Sequence, residues 1–107
     1  MTKSSLKSKT HTSKGILEIV HTNLCGLIDV QSYKGDKYII LFVDDYSRMM
    51  TFMFLKLKSD AFQMFKWYLA RVEKDIGKSL KCLRSDRGGE FTSHEFDMLC
   101  NDRGIKR

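Results

Sequence analysis

Apolar and polar positions alternate in "ILEIVHTN", residues 16–23. Leu17, Ile19, His21 and Asn23 fall on one face, and Ile16, Glu18, Val20 and Thr22 on the other. This predicts a first strand, followed by a loop with two glycines, "LCGLIDVQSYKGD". The continuous apolar run "KYIILFVDDYS" (37–47) predicts a second strand covered on both faces. "MMTFMFLKL" (49–57) predicts a third, and the short link makes the pair an antiparallel hairpin.

The period then changes. Phe62, Phe65, Leu69, Val72 and Ile76 recur at spacings of three and four, which predicts a helix over 59–76. Ser59 is its expected N-cap, Asp60 suits the first turn and Gly77 the stop. "SLKCLRSD" (79–86) predicts a fourth strand. Thr92 and Glu95 have the spacing of a capping box, which opens a second helix with Phe96, Leu99 and Cys100 on its apolar side and Gly104 at its end. "GIKR" reads as the start of a further strand. The order is β-β-β-α-β-α, and the helix between strands three and four permits a parallel crossover. The expectation is an α/β domain with a mixed sheet and flanking helices over 16–107, after a flexible basic leader, 1–15. A strand buried on both faces, with only two helices to cover the sheet, predicts an exposed apolar patch.

Charge changes this picture little. The chain of 107 residues carries +6, but Lys3, Lys7, Lys9 and Lys14 precede the first acid, so the body carries about +2. Such a leader binds nucleic acid non-specifically or is simply solvated. Cys25, Cys82 and Cys100 form no C-x-x-C pair, so neither a zinc knuckle nor a disulfide framework is indicated, and a reducing compartment fits. The first 15 residues have no apolar h-region, and no apolar run approaches the roughly 20 residues that span a bilayer.

The candidate chemistry lies in "LRSDRGGEF", residues 83–91, where an apolar run ends in a carboxylate, an arginine and two glycines. Two-metal phosphoryl transfer needs carboxylates converging on cations roughly 3.5–4 Å apart. Asp86 stands where a strand could present one, and glycines let a substrate backbone approach. Taken alone, Asp before Gly-Gly is more often a turn.

The segments "HTNLCG", "YIILFVDDYSR", "LKSDAFQMFKWY" and "LRSDRGGEF", in this order, resemble the integrase catalytic core of Ty1/copia-type retrotransposons. The resemblance runs from about His11 to Arg107. It implies an RNase H-like fold, an Asp-Asp-Glu site, Mg2+ or Mn2+, DNA as partner, a nuclear and hence intracellular setting, and no membrane. It leaves homo-oligomerisation open. Position by position, the family's second Asp falls on Asp86 and its first on Asn23. The Glu has no counterpart among the 107 residues, and Leu27 stands where the family has proline after "CG". The resemblance thus predicts a C-terminally truncated core, with Asp86 as metal ligand, Asn23 in a catalytic position and weak metal binding. It predicts no strand transfer from the isolated chain, because an amide offers one neutral oxygen where a carboxylate offers two charged ones.

If strands one and four are parallel, Asn23 and Asp86 share a sheet edge. Asp44 and Asp45 would lie at the opposite edge as turn residues, pairing with Arg48, and Asp36 reads as a turn residue as well. Arg84, Arg87 and Lys14 are the candidate phosphate contacts, with solvated surface charge as the alternative. Glu90 is read as pairing with Arg87, with assistance to metal binding as the alternative. His21 reads as a core or strand-pairing histidine. Trp67 and Tyr68 lie off the helix's main stripe, either covering a neighbouring element or exposed. The competing function is a non-catalytic nucleic-acid-binding or oligomerisation module on the same fold.

Overall fold

The computed structural model describes residues 13–26, 35, 37–85 and 93–107. Strand β1, Ile19–Gly26, pairs antiparallel with β2, Tyr38–Asp44, and β2 with β3, Met50–Leu55. A 3-10 turn at Lys58–Asp60 leads into α1, Ala61–Ile76. Strand β4, Cys82–Ser85, returns parallel to β1, giving the sheet order β3-β2-β1-β4. Helix α2, His94–Arg103, follows. The expected stub is real: Lys106 bridges in parallel to Cys82, with the Leu83 N–H donating to the Lys106 carbonyl at 2.8 Å.

Both helices lie on one sheet face. Val20, Ile40, Phe42, Leu55 and Leu83 point from the strands into a core shared with Phe65, Leu69 and Val72 of α1 and Phe96 and Cys100 of α2. The Phe65 and Phe96 rings stack at 5.2 Å, joining the helices. Glu73 also ties the elements together: its carboxylate accepts from the Leu80 N–H at 2.7 Å and from Arg103. Both helices end on glycines in the left-handed region, Gly77 (φ 80°) and Gly104 (φ 70°), where a Cβ would be strained.

Four readings shift. Strand β1 runs on to Gly26, so Leu24, Cys25 and Gly26, expected in the loop, pair with Ile40, Ile39 and Tyr38. The first strand starts at Ile19, because Leu17 sits in a turn with φ 69° and is fully buried there. Its N–H donates to the Asp44 carboxylate at 2.7 Å, which fixes the turn and removes Leu17 from the alternation. Helix α1 follows the 3-10 turn, so Asp60, not Ser59, is its N-cap. The cap of α2 is Ser93, whose Oγ accepts from the Phe96 N–H at 3.3 Å. Thr92 lies outside the described residues. Of the two alternatives for Trp67 and Tyr68, Tyr68 takes the first and covers the neighbouring β2, its ring stacked on Phe42 at 4.2 Å. Burial, with the nearby Asp44 charge, pushes its phenol pKa up to about 12. Trp67 is exposed.

No described element covers the other sheet face. Met50, Phe52 and Phe54 project from β3 there and remain half exposed, beside the partly covered Ile39 and Leu41 of β2. The apolar patch expected from the strand pattern lies here.

The glycine of "HTNLCG" has a packing reason. A Cβ on Gly26 would fall 1.9 Å from Tyr38 Cδ1 on the paired strand. Gly26→Ala is expected to cost about 1–3 kcal/mol, measured by urea unfolding. In a Tyr38→Ala background, which has its own packing cost, the further cost of Gly26→Ala should largely vanish, and a further cost that persists without the ring would count against the packing account.

Candidate functional site

The parallel pairing of β1 and β4 runs Ile19↔Cys82, Val20↔Leu83, His21↔Arg84 and Thr22↔Ser85. Asn23 is the next residue of β1, paired across to Leu41 of β2. Its side chain is exposed, with Nδ2 3.7 Å from the Cys25 sulfur. Asp86 is the residue after Ser85. Asp86, Arg87 and Glu90 lie outside the described residues, as does Asp36.

Among the described residues the donors here do not by themselves fit a divalent cation. Among the described residues no three His, Cys, Asp or Glu side chains form a metal-holding group. Asn23 supplies one neutral oxygen, whereas magnesium prefers several oxygen donors including charged carboxylates.

The basic candidates are not gathered. Arg84 is exposed on β4, on the same face as His21 and Asn23. Lys14 precedes β1, at the opposite end of the sheet from Asn23, where its N–H donates to Glu18 Oε1 at 3.0 Å.

That opposite end holds the two acids of "VDDYS". Asp44 pairs with Val20 in the strand register and is fully buried. Its carboxylate accepts the N–H of Leu17 at 2.7 Å and of Ser47 at 2.8 Å, and its carbonyl accepts the Arg48 N–H at 2.8 Å. It therefore closes two turns. Asp45 accepts from Ser13 Oγ at 2.6 Å and pairs with His21 Nε2 at 2.9 Å. The carboxylate stands between the hydroxyl and the imidazole, so the imidazole does not reach Ser13 and the trio acts as a clasp. The reading of both acids as turn residues matches these contacts. The dual-turn role of Asp44 was not legible, because its partner Leu17 is 27 residues away.

Burial works to raise the Asp45 carboxyl pKa, but the hydrogen bonds from Ser13 and His21 and the charges of His21 and Arg48 outweigh it. The folded pKa is therefore depressed. Its stabilising contribution is present above the unfolded carboxylate range and is lost as pH falls through the lower folded value. Asp45→Asn should flatten the decline of stability below about pH 4, measured by urea unfolding across pH. An unchanged acid limb would remove Asp45 as its source.

Comparison with known proteins agrees with this architecture. Residues 17–107 match the integrase core domain family model. The chain is 40% identical over 102 residues to the Retrovirus-related Pol polyprotein from transposon TNT 1-94 of Nicotiana tabacum, covering 95% of this chain and 8% of that one. The HTLV-2 integrase catalytic core, solved with magnesium in dimeric and trimeric forms, is 22% identical with a TM-score of 0.62. The match covers 84% of this chain and 57% of that one. An intasome of simian T-cell lymphotropic virus, solved with the PP2A subunit B56 gamma, gives 17% identity and a TM-score of 0.62, with coverages of 84% and 33%. The fold is thus that of the retroviral integrase core, RNase H-like with a mixed sheet. The chain belongs to the integrase core domain family, in its Ty1/copia retrotransposon branch.

Proposed function

We propose that this chain is a DNA-associating integrase-core segment that carries half of a divalent-cation site and joins no DNA strands on its own. The β1–β4 register carries this reading. It reaches Thr22↔Ser85, so residues 23 and 86 are the next pair if the ladder continues. Asp86 then supplies the charged ligand, and Asn23 supplies a neutral one in the family's first Asp position. A bound Mg2+ or Mn2+ would supply Lewis-acid chemistry at that edge. The chain's own residues supply a weak seat there, with Arg87 attracting phosphate and Lys14 doing so from the opposite end of the sheet. A nuclear setting belongs to the same proposal.

The test is fluorescence anisotropy with a duplex DNA end at several salt concentrations, beside a strand-joining assay with Mn2+. Affinity should fall steeply with salt, and Arg87→Ala should reduce the slope by about one. Salt-independent binding, or joining by the unmodified chain, would overturn the proposal.

A further inference from the structure

The β4 edge is basic, with Arg84, Lys106 and Arg107 bordering one groove. The parallel bridge Cys82↔Lys106 fixes the path of the chain there, and strand alternation turns Arg107 to the face opposite Lys106, toward the helices. Its guanidinium meets two elements at once. Nη2 donates to Ser85 Oγ at 3.2 Å, on the last residue of β4. Nη1 stands 3.5 Å from Asp97 Oδ1, in the first turn of α2. The cation lies 5.5 Å over the Phe96 ring and hydrogen-bonds the buried Cys100 thiol.

We propose that Arg107 is a positioning residue, whose guanidinium pins the tip of β4 to the first turns of α2 and so sets the direction in which the chain enters Asp86. The inference rests on the reading of residues 23 and 86 as the candidate site. Ser85 is well placed for this role. It pairs with Thr22, so the last pair of the ladder directly precedes both candidate residues. Strand β4 has only four residues, and the end of so short a strand opens easily. The guanidinium fork can meet a hydroxyl and a carboxylate together, which a lysine ammonium on its flexible stem does less well. Both polar contacts are long and the side chain is 26% exposed, so each is weak and global stability does not hang on them. Their effect is local order at the tip.

A direct phosphate contact is the rival role for this cation. Charge and fork separate the two roles. Lysine keeps the charge that a phosphate needs, but not the fork that bridges Ser85 and Asp97.

The test uses the full chain, Arg107→Lys, Arg107→Ala and, as control, Arg103→Ala. Arg103 also belongs to α2, but its ion pair is with Glu73 of α1. Backbone 15N relaxation reads order at Arg84 and Ser85, and fluorescence anisotropy reads affinity for a duplex DNA end at several salt concentrations. Both Arg107 variants should lower the order parameter of Ser85 from about 0.85 toward about 0.6. Arg103→Ala should leave it as in the parent. Arg107→Lys should weaken DNA binding by about threefold or more, because a loosened tip must be ordered on binding, with the salt slope unchanged. An unmoved order parameter, an equal drop in Arg103→Ala, or full rescue of both readouts by lysine would overturn the proposal. So would a loosened tip with parental DNA affinity. Absence of DNA binding by the parent chain would overturn the integrase-segment reading instead, and the order parameters alone would then decide the pinning.

Discussion

Asp44→Ala is expected to destabilise the chain by about 3–5 kcal/mol. For a domain of this size that corresponds to roughly 12 °C or more in melting temperature. The carboxylate is fully buried and is the acceptor for two backbone donors, the Leu17 and Ser47 N–H groups. Alanine leaves both short of that acceptor. The Leu17 turn would suffer most, because Leu17 holds φ 69° while buried in the core. Asp44→Asn keeps one acceptor oxygen and should fall between the two. Urea unfolding of the three proteins measures the series. An alanine variant melting within about 3 °C of the parent would show that these bonds do not hold the β1–β2 end together.

The second large effect is expected at the other end of β1. Asn23→Asp should raise affinity for Mn2+ by at least about 10–100-fold, the loss typical when a group that only orients a metal ligand is removed. The change adds a charge and a second oxygen on the residue after the last β1–β4 pair. Two carboxylates in one site also raise the proton affinity of one of them, so the gain should shrink as pH falls. Isothermal titration at two pH values reads both effects. Strand joining should remain absent, since the two-metal chemistry requires a further carboxylate.

Much of this arrangement was legible in the chain. The strand alternation placed Ile19, His21 and Asn23 on one face, and the helical spacing identified Phe65, Leu69 and Val72 as core. The helix between strands three and four permitted the parallel return of β4, which the pairing shows. Other features depend on contacts distant in sequence. Leu17 looked like a strand residue because its pattern continues that of β1, but a carboxylate 27 residues away bends it into a turn. Tyr68 looked peripheral because its stacking partner, Phe42, lies on another element. At the site, the family motif pointed to Asn23 and Asp86, while the strand pattern alone would have read Asp86 as a turn residue. Composition did not separate the basic edge from the basic leader, because pairing, not sequence distance, brings Lys106 beside Cys82.

Residues 23 and 86 are proposed to share one cation seat, beyond the last β1–β4 pair, Thr22↔Ser85. Paramagnetic broadening by sub-stoichiometric Mn2+, followed in amide NMR spectra of the Asn23→Asp chain, tests it most directly. The signals of residues 22–24 and of Ser85 should broaden first, Asp86→Ala should abolish the effect, and Asp44 and Asp45 should stay sharp. Broadening centred on Asp44 and Asp45, or broadening at residue 23 that survives Asp86→Ala, would contradict it.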